Sequence, residues 1–520
     1  MLSASIDAHK TIYYVDYAEN WNSACPACAN SKLQLLGDLN ELLLWTGSPD
    51  YPVDHGRYPI SKVSWRDPVR GNQTAPLWPL PGCSSCANRR LQDLEHKIGS
   101  HVAELKTERE NYSLDNYSSR YSSVEIDKFR GATTNHLGPF GIGTEPVQQV
   151  TTLEGLSFYA AILYSETVDS IQVAGGKGST EEQAYASCFG ELIERYYLTG
   201  VYAEPNVVCT VRDLSGAKTN FVPPAAFGLL RDPKLARYSL DTRIGWTKAI
   251  ELTNCDKEVF IPSDIVYSPP IIAEGAAAIY YGSTNGAACG ASLFDATLQA
   301  LLELVERDAF WYYMRRRSRP IRINEVDLPE RVLELTKQNC HLNFIFTLLR
   351  TPFEVPVIQV VSTDSDTGIQ ARGTGAHFSL HDAIDRAFNE CCQMYTSLLT
   401  AQDVHDSSEH MRQLWYTGQA EDIFPNIFNP QIGHYDISSF VPVFDSDPIT
   451  FLLDKFTMQG MGVYLKVLHQ DSDCCVVKCI ANSVHIVDSD SLAGVDRLSF
   501  YSTLLDEKPK GNDYSGSVYM

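Results

Sequence analysis

One pentapeptide pattern occurs twice in this chain and constrains it more than any other feature. Glu191-Leu-Ile-Glu194-Arg195 recurs as Glu303-Leu-Val-Glu306-Arg307, each inside a strongly helical stretch, QAYASCFGELIERYY and TLQALLELVERDAFWYY. Ser187 and Gln299 stand four residues before the first glutamate of each copy, and a third helical stretch, AIDRAFNECCQMYTSLL, carries Arg386, Glu390 and Gln393. Each set falls at i, i+4, i+7, which is one face of a 3.6-residue helix. The remaining faces are apolar: Ala184, Ala186, Cys188, Phe189, Leu192, Ile193, Tyr196 and Tyr197 on the first helix, Leu301, Leu302, Leu304, Val305, Ala309 and Phe310 on the second. A surface helix has a broad polar face and a narrow apolar stripe. Here the proportions are inverted, so the three combs face one another or a cleft, because isolated buried carboxylates are too costly. Two readings follow from the pattern itself: a salt-bridge network between packed helices, or a ligand cleft.

Carboxylates converging with Arg195, Arg307 and Arg386 suit a polyphosphate chelated by magnesium, which needs carboxylate oxygens for the metal and guanidinium groups for phosphate oxygens. Gly175-Gly176-Lys177-Gly178-Ser179-Thr180 precedes the first helix and reads either as a phosphate cradle at a helix N-terminus or as an ordinary tight turn, the neighbouring comb favouring the cradle. It is not a Walker A loop, having Ile171 and Gly178 where that motif requires glycine and a hydroxyl residue. Ser283-Thr284-Asn285-Gly286-Ala287-Ala288-Cys289-Gly290 leads into the second helix and Arg372-Gly373-Thr374-Gly375-Ala376-His377 into the third. Three times a β-rich run passes through a small-residue turn into a comb-bearing helix, either to gather helix starts around a site or because ordinary strand-to-helix loops need glycine.

The segments GGKGSTEEQAYASCFGELIERYY, STNGAACGASLFDATLQALLELVERDAF and GTGAHFSLHDAIDRAFNECCQ closely resemble the three nucleotide-binding segments of the YcaO superfamily, with its SxxxExxER, second ExxER and RxxxExxQ signatures. GPFGIG at residues 138–143 resembles the usual beginning of such domains. The resemblance implies an α/β fold with a YcaO-type ATP-binding catalytic domain over residues 130–490, and a magnesium-dependent ATP enzyme acting on peptide backbone amides. It makes Ser187, Glu191, Glu194, Arg195, Glu303, Glu306, Arg307, Arg386, Glu390 and Gln393 the ATP and Mg2+ candidates, with Lys177 and Asn285 in second rank. The implied reaction is cyclodehydration of Cys, Ser or Thr in a ribosomally made precursor peptide. The side chain adds to the preceding carbonyl, ATP phosphorylates the resulting oxygen, and elimination gives a thiazoline or oxazoline. The protein's own task is then positioning and charge neutralisation. Azoline-forming members commonly end in PxPxP, whereas this chain ends Asp513-Tyr514-Ser515-Gly516-Ser517-Val518-Tyr519-Met520. That departure leaves the catalytic base unassigned and keeps two alternatives, backbone thioamidation by the same fold and a non-catalytic docking scaffold.

Upstream, Cys25-Pro-Ala-Cys28 and Cys83-Ser-Ser-Cys86 form two CxxC pairs able to present four thiolates to a structural Zn2+. A redox CxxC and unliganded thiols are the other readings. LPGCSSCANRR resembles the zinc-bearing end of the E1-like domain that precedes YcaO domains in fused cyclodehydratases. Residues 1–105 are therefore expected to be a small zinc-binding module, 106–129 a linker and 491–520 a tail, with a separate E1-like leader-peptide-binding partner. A formal charge of −22 disfavours nucleic acid. The chain has no apolar run of membrane length and no secretory signal at its start, so a cytoplasmic protein with reduced cysteines is expected, for which a homodimer is a compatible assembly.

Overall fold

The computed structural model describes residues 2–8, 11–17, 28, 32, 62–67, 71–78, 80, 98–111, 137, 141–164, 172–199, 207–229, 234–254, 257–270, 272–316, 318–400, 410–432, 447–470 and 474–482. The first four strands, β1 (Leu2–Ala8), β2 (Thr11–Tyr17), β3 (Lys62–Asp67) and β4 (Gly71–Pro76), form an antiparallel sheet in sequence order. Of the four zinc candidates only Cys28 lies among the described residues; Cys25, Cys83 and Cys86 lie outside them. Cys28 is buried, and its Sγ accepts a hydrogen bond from the Leu80 amide at 3.3 Å, three residues before Cys83.

Helix α1 (Ile98–Glu110) runs through the boundary placed at 105/106, so the first residues of the expected linker are helical. Its stretch lacks apolar periodicity because it docks through few side chains. Leu105 is buried, Glu108 accepts the Phe294 amide at 2.7 Å, and Arg109 pairs with Asp447 at 3.3 Å.

The rest is α/β with antiparallel pairing. Strands β5 (Val147–Gln148), β6 (Tyr159–Leu163) and β7 (Gln172–Gly176) form one sheet, and β7 leads into α2 (Glu181–Leu198). Residues Val211–Gly216 form a short helix, α3. A second sheet has the order β10 (Lys257–Pro262), β9 (Ile244–Glu251), β16 (Val463–Gln470), β17 (Cys475–Ala481), β11 (Ala287–Gly290), with β8 (Val207–Cys209) also paired to β9. From β11 the chain enters α4 (Leu293–Arg316). A third sheet, β12 (Ile321–Arg322), β13 (Leu342–Leu349), β14 (Val357–Asp364) and β15 (Gln370–Ala376), feeds α6 (Leu380–Thr400), while α5 (Glu330–Gln338) lies between β12 and β13 in the chain.

Each comb helix thus follows the edge strand of a different sheet. Two buried apolar clusters hold them, one built on α2 with β6, β7, β9 and the outer residues of β16 and β17, the other on α4 and α6 with the third sheet. The apolar residues predicted to surround α4 are buried on every side, and burial continues to its last turn. Arg315, in that last turn, is only 3% exposed, because α4 threads the core rather than lying on it. Cys391 and Cys392 fill core, and Cys475 and Cys479 lie in β17.

Candidate active site

Glycine places the helices. A Cβ on Gly176 would lie 2.1 Å from the Ala184 carbonyl oxygen and 2.5 Å from the Cys188 Cβ. One on Gly373 would lie 2.3 Å from both the Ala387 carbonyl oxygen and the Cys391 nitrogen, and one on Gly375 would lie 2.7 Å from the Ala383 oxygen. These glycines sit inside β7 and β15, not in turns after them, and let α2 and α6 approach the strands at backbone distance. At the start of α2, where a phosphate cradle is one reading of the sequence, the helix end is already capped. Thr180 caps that helix through Gln183, and Glu181 and Glu182 occupy its first turn, where they would repel an anion.

With the helices so placed, the combs meet. Lys177, just past β7, turns away from the helix start and pairs with Glu390 of α6 at 2.7 Å. Burial opposes its charge, but Glu390, Glu191 and Glu306 outweigh it and hold the ammonium above the ordinary lysine range. Burial likewise works against ionised Glu390, and Lys177, Arg307 and Arg372 overcome it, leaving that carboxyl below its ordinary value. Arg195 bonds Glu191 at 2.9 Å, one turn away on α2, and the other Glu191 oxygen accepts the Gly175 amide at 3.3 Å. On α4, Arg307 lies 3.5 Å from Glu303 and 3.8 Å from Glu306. Glu306 also accepts the Thr374 hydroxyl at 2.6 Å, and Glu303 accepts the Gly286 amide at 3.2 Å. Arg386 donates to Gln299 across the α4–α6 seam at 3.0 Å. Gln393 lies against Gly175, where a Cβ would meet its Nε2 at 2.7 Å. Ser187 and Asn285 are half-buried on the same approaches.

The polar ends stay partly open, with side-chain exposures of 29–33% at Lys177, Arg195 and Glu191 and 13–22% at Glu303, Glu306 and Arg307. An inert salt-bridge core would be closed. The acidic charge is also under-compensated at one point. Burial, with Glu303 and Glu191 adding repulsion, pushes Glu194 up to about 8 against Arg195 and Lys478. Burial also raises Glu303, reinforced by Glu306 and opposed by Arg307 and Lys478. A divalent cation relieves that kind of strain, so the donor set fits Mg2+, with arginines and Lys177 beside it for phosphate oxygens.

One residue here was not among those predicted. Lys478, in the middle of β17, is fully buried and donates to the Ser283 and Asn285 carbonyls at 2.5 Å each. Burial brings it down to about 8 against the pull of Glu303 and Glu194. The available signal was a single lysine inside CCVVKCIA: a strand buried on both faces cannot carry a charge without partners. His377 has a local role, its Nδ1 lying 3.1 Å from the Ser379 amide and 3.2 Å from Asp382 at the start of α6. Among the described residues no group of three or more His, Cys, Asp or Glu is placed to hold a metal ion by itself.

Three sheets, each delivering a glycine-packed helix with acidic and basic side chains to one cleft, define an α/β nucleotide- and metal-binding class of architecture. The family model for the YcaO cyclodehydratase, ATP- and Mg2+-binding, matches residues 175–484, and the chain belongs to the YcaO family. A protein of uncharacterised function from Methanothermobacter thermautotrophicus is 24% identical over 286 residues, spanning 53% of this chain and 71% of the relative. Among solved structures, a heterocyclase in complex with substrate and cofactor superposes with a TM-score of 0.65 at 18% identity, covering 88% of this chain and 63% of its own. The heterocyclase TruD gives 0.52 at 18%, covering 88% and 60%. YcaO from Methanopyrus kandleri bound with AMPPCP and Mg2+ gives 0.50 at 19%, covering 66% and 86%. This chain therefore spans less than two thirds of the length of the two heterocyclases. No helix among the described residues is long and apolar enough to cross a membrane.

Proposed function

We propose that this protein is an ATP- and Mg2+-dependent cyclodehydratase that converts Cys, Ser or Thr residues of a ribosomally made precursor peptide to thiazolines or oxazolines. One observation carries the reading: carboxylates from α2, α4 and α6 converge with Lys177, Arg195, Arg307 and Arg386 in a cleft that stays partly open, and they remain short of positive charge. Ser187, Glu191, Glu194, Glu303, Glu306, Glu390 and Gln393 would hold Mg2+ and orient the nucleotide, with Asn285 at the mouth of the second turn. Bound ATP supplies the phosphoryl group that turns the former amide oxygen into a leaving group, while Mg2+ offsets phosphate charge. The chain's own contribution is to fix these groups on helices clamped to strands at backbone distance, so little reorganisation is needed when charge develops.

The structural likeness to a heterocyclase solved with substrate and cofactor supports a heterocycle-forming reaction. An E1-like leader-peptide-binding partner belongs to the same proposal. So does a structural Zn2+ on Cys25, Cys28, Cys83 and Cys86, supported by the Leu80 amide donating to the Cys28 sulfur, a contact that stabilises a thiolate. Metal analysis of the purified chain tests the zinc: one equivalent, lost on replacing Cys28 and Cys83 by serine, is expected.

The reaction is tested by the mass of a Cys- and Ser-rich precursor peptide incubated with the protein, its partner, Mg2+ and ATP. Loss of one water per modified residue, dependent on ATP, is expected. Exchange of oxygen for sulfur would replace the cyclodehydration reading by thioamidation. An unchanged mass with nucleotide bound would leave a docking scaffold.

A further inference from the structure

Lys478 lies outside all three combs, yet it is the group most committed to one of their approaches. Its strand is buried over all seven residues, and an apolar side chain would fill the position without desolvating an ammonium. What the ammonium does is specific. It donates to two carbonyls of the same turn, Ser283 and Asn285, at 2.5 Å each. The neighbouring Cys479 amide donates to the Gly286 carbonyl at 2.8 Å, and a Cβ on Gly286, whose φ is +78°, would lie 2.3 Å from the Cys479 oxygen. The turn is therefore fastened to β17 through three of its carbonyls, those of Ser283, Asn285 and Gly286. From above it gives the Gly286 amide to Glu303 at 3.2 Å and presents Asn285 half-exposed.

We propose that Lys478 is a positioning residue of the nucleotide site, holding the Ser283–Gly286 turn so that Asn285 and Glu303 face the bound Mg·nucleotide and placing a fixed positive charge behind Glu194 and Glu303. The inference rests on the nucleotide reading given above. Two carbonyls accepting from one ammonium fix the turn's backbone in a way that neither a methionine nor a leucine can reproduce, and both carbonyls would be left without this donor. A purely structural lysine would matter to stability; a positioning lysine matters to nucleotide affinity.

The test uses the full chain carrying Lys478→Met, which keeps an unbranched stem and removes charge and donors. Calorimetric titration with AMPPCP, at a fixed Mg2+ concentration just sufficient for wild-type binding, is expected to show affinity weakened about 10- to 100-fold, the usual range for removing a supporting partner. The denaturation midpoint without nucleotide should fall far less than a general loss of structure would require. Raising Mg2+ should not restore binding, because the carboxylates are intact. Unchanged affinity overturns the proposal, and so does full recovery at high Mg2+. If the variant does not fold, Asn285→Ala decides, since it keeps the backbone carbonyl that Lys478 holds. It should weaken AMPPCP binding over the same range, and unaltered binding refutes the turn's role. Wild-type protein that fails to bind Mg·AMPPCP refutes the nucleotide reading and this inference with it. Wild-type binding with unaffected variants refutes the inference alone.

Discussion

Replacing Gly373 by alanine separates the placement of α6 from its chemistry, because the residue is not itself a site group. The added Cβ would lie 2.3 Å from the Ala387 oxygen and the Cys391 nitrogen and 2.8 Å from the Glu390 carbonyl carbon. These are backbone atoms and cannot turn aside. Ordinary contact begins at 3.4 Å, so the helix must withdraw by 3.4 − 2.3 = 1.1 Å at that level. Overpacking of this kind costs about 1–3 kcal/mol, well inside a typical stability of about 5–15 kcal/mol, so the protein should still fold. Glu390 moves with the helix, and its 2.7 Å contact to Lys177 is lost. Misplacing such a group by about 1 Å can cost about 100-fold in rate. The assay is ATP turnover with partner and precursor peptide, beside a urea denaturation curve. Gly216→Ala serves as control, since nothing lies within 4 Å of its Cβ position, and it should leave turnover unchanged. Turnover by Gly373→Ala within twofold of wild type, with an unmoved denaturation midpoint, would show that α6 is not held at backbone distance and refute the reasoning.

Glu191→Gln and Glu306→Gln should each abolish ATP turnover while leaving circular dichroism unchanged; normal turnover in both would sink the metal-site assignment. Thr374→Val removes the hydroxyl that donates to Glu306 at 2.6 Å and should cost about 1–3 kcal/mol in denaturation while weakening Mg·nucleotide binding, whereas Thr374→Ser should retain both. Glu194 sits at about 8 in the fold against an ordinary 4.5, so the folded state holds the extra proton between those values. Stability without Mg2+ should be full below about pH 4.5 for this group and decline as pH rises to 8. Glu194→Gln should flatten that part of the midpoint-versus-pH curve, and an unaltered slope would show that another group is responsible.

The combs were legible because helical periodicity is a strong signal and because their polar stripe is too narrow for a solvated face. Glu191, Glu303 and Glu390 lie where that periodicity puts them, on three helices that meet. The meaning of the glycines was harder to read. Gly175 and Gly176, or Gly373 and Gly375, look alike in a sequence whether they turn a chain, cradle a phosphate or admit a helix, and only the distance to α2 or α6 separates these uses. That residues 106–110 continue a helix was hard to read for a related reason. Helix α1 is fixed by Glu108 and Arg109 bonding to segments 186 and 338 residues away, and long-range partners of that kind leave no local pattern.

Lys478 shows how a charge balance can reveal what periodicity cannot. Glu191 and Glu390 each have a cation within hydrogen-bond distance, Arg195 and Lys177, while Glu303 and Glu306 share Arg307 at longer range. Glu194 forms no such pair in the site and carries the raised value that follows from burial beside two other carboxylates. A further cation of the neighbourhood, Lys478, is bound to carbonyls rather than to a carboxylate, so its charge acts on Glu194 and Glu303 without occupying their oxygens. A lysine paired directly with Glu194 would stabilise the empty site and compete with a divalent cation for the same lone pairs. Held one layer behind, it supports the acidic cluster and leaves its coordinating face open, as a site that must take up Mg2+ with each nucleotide requires.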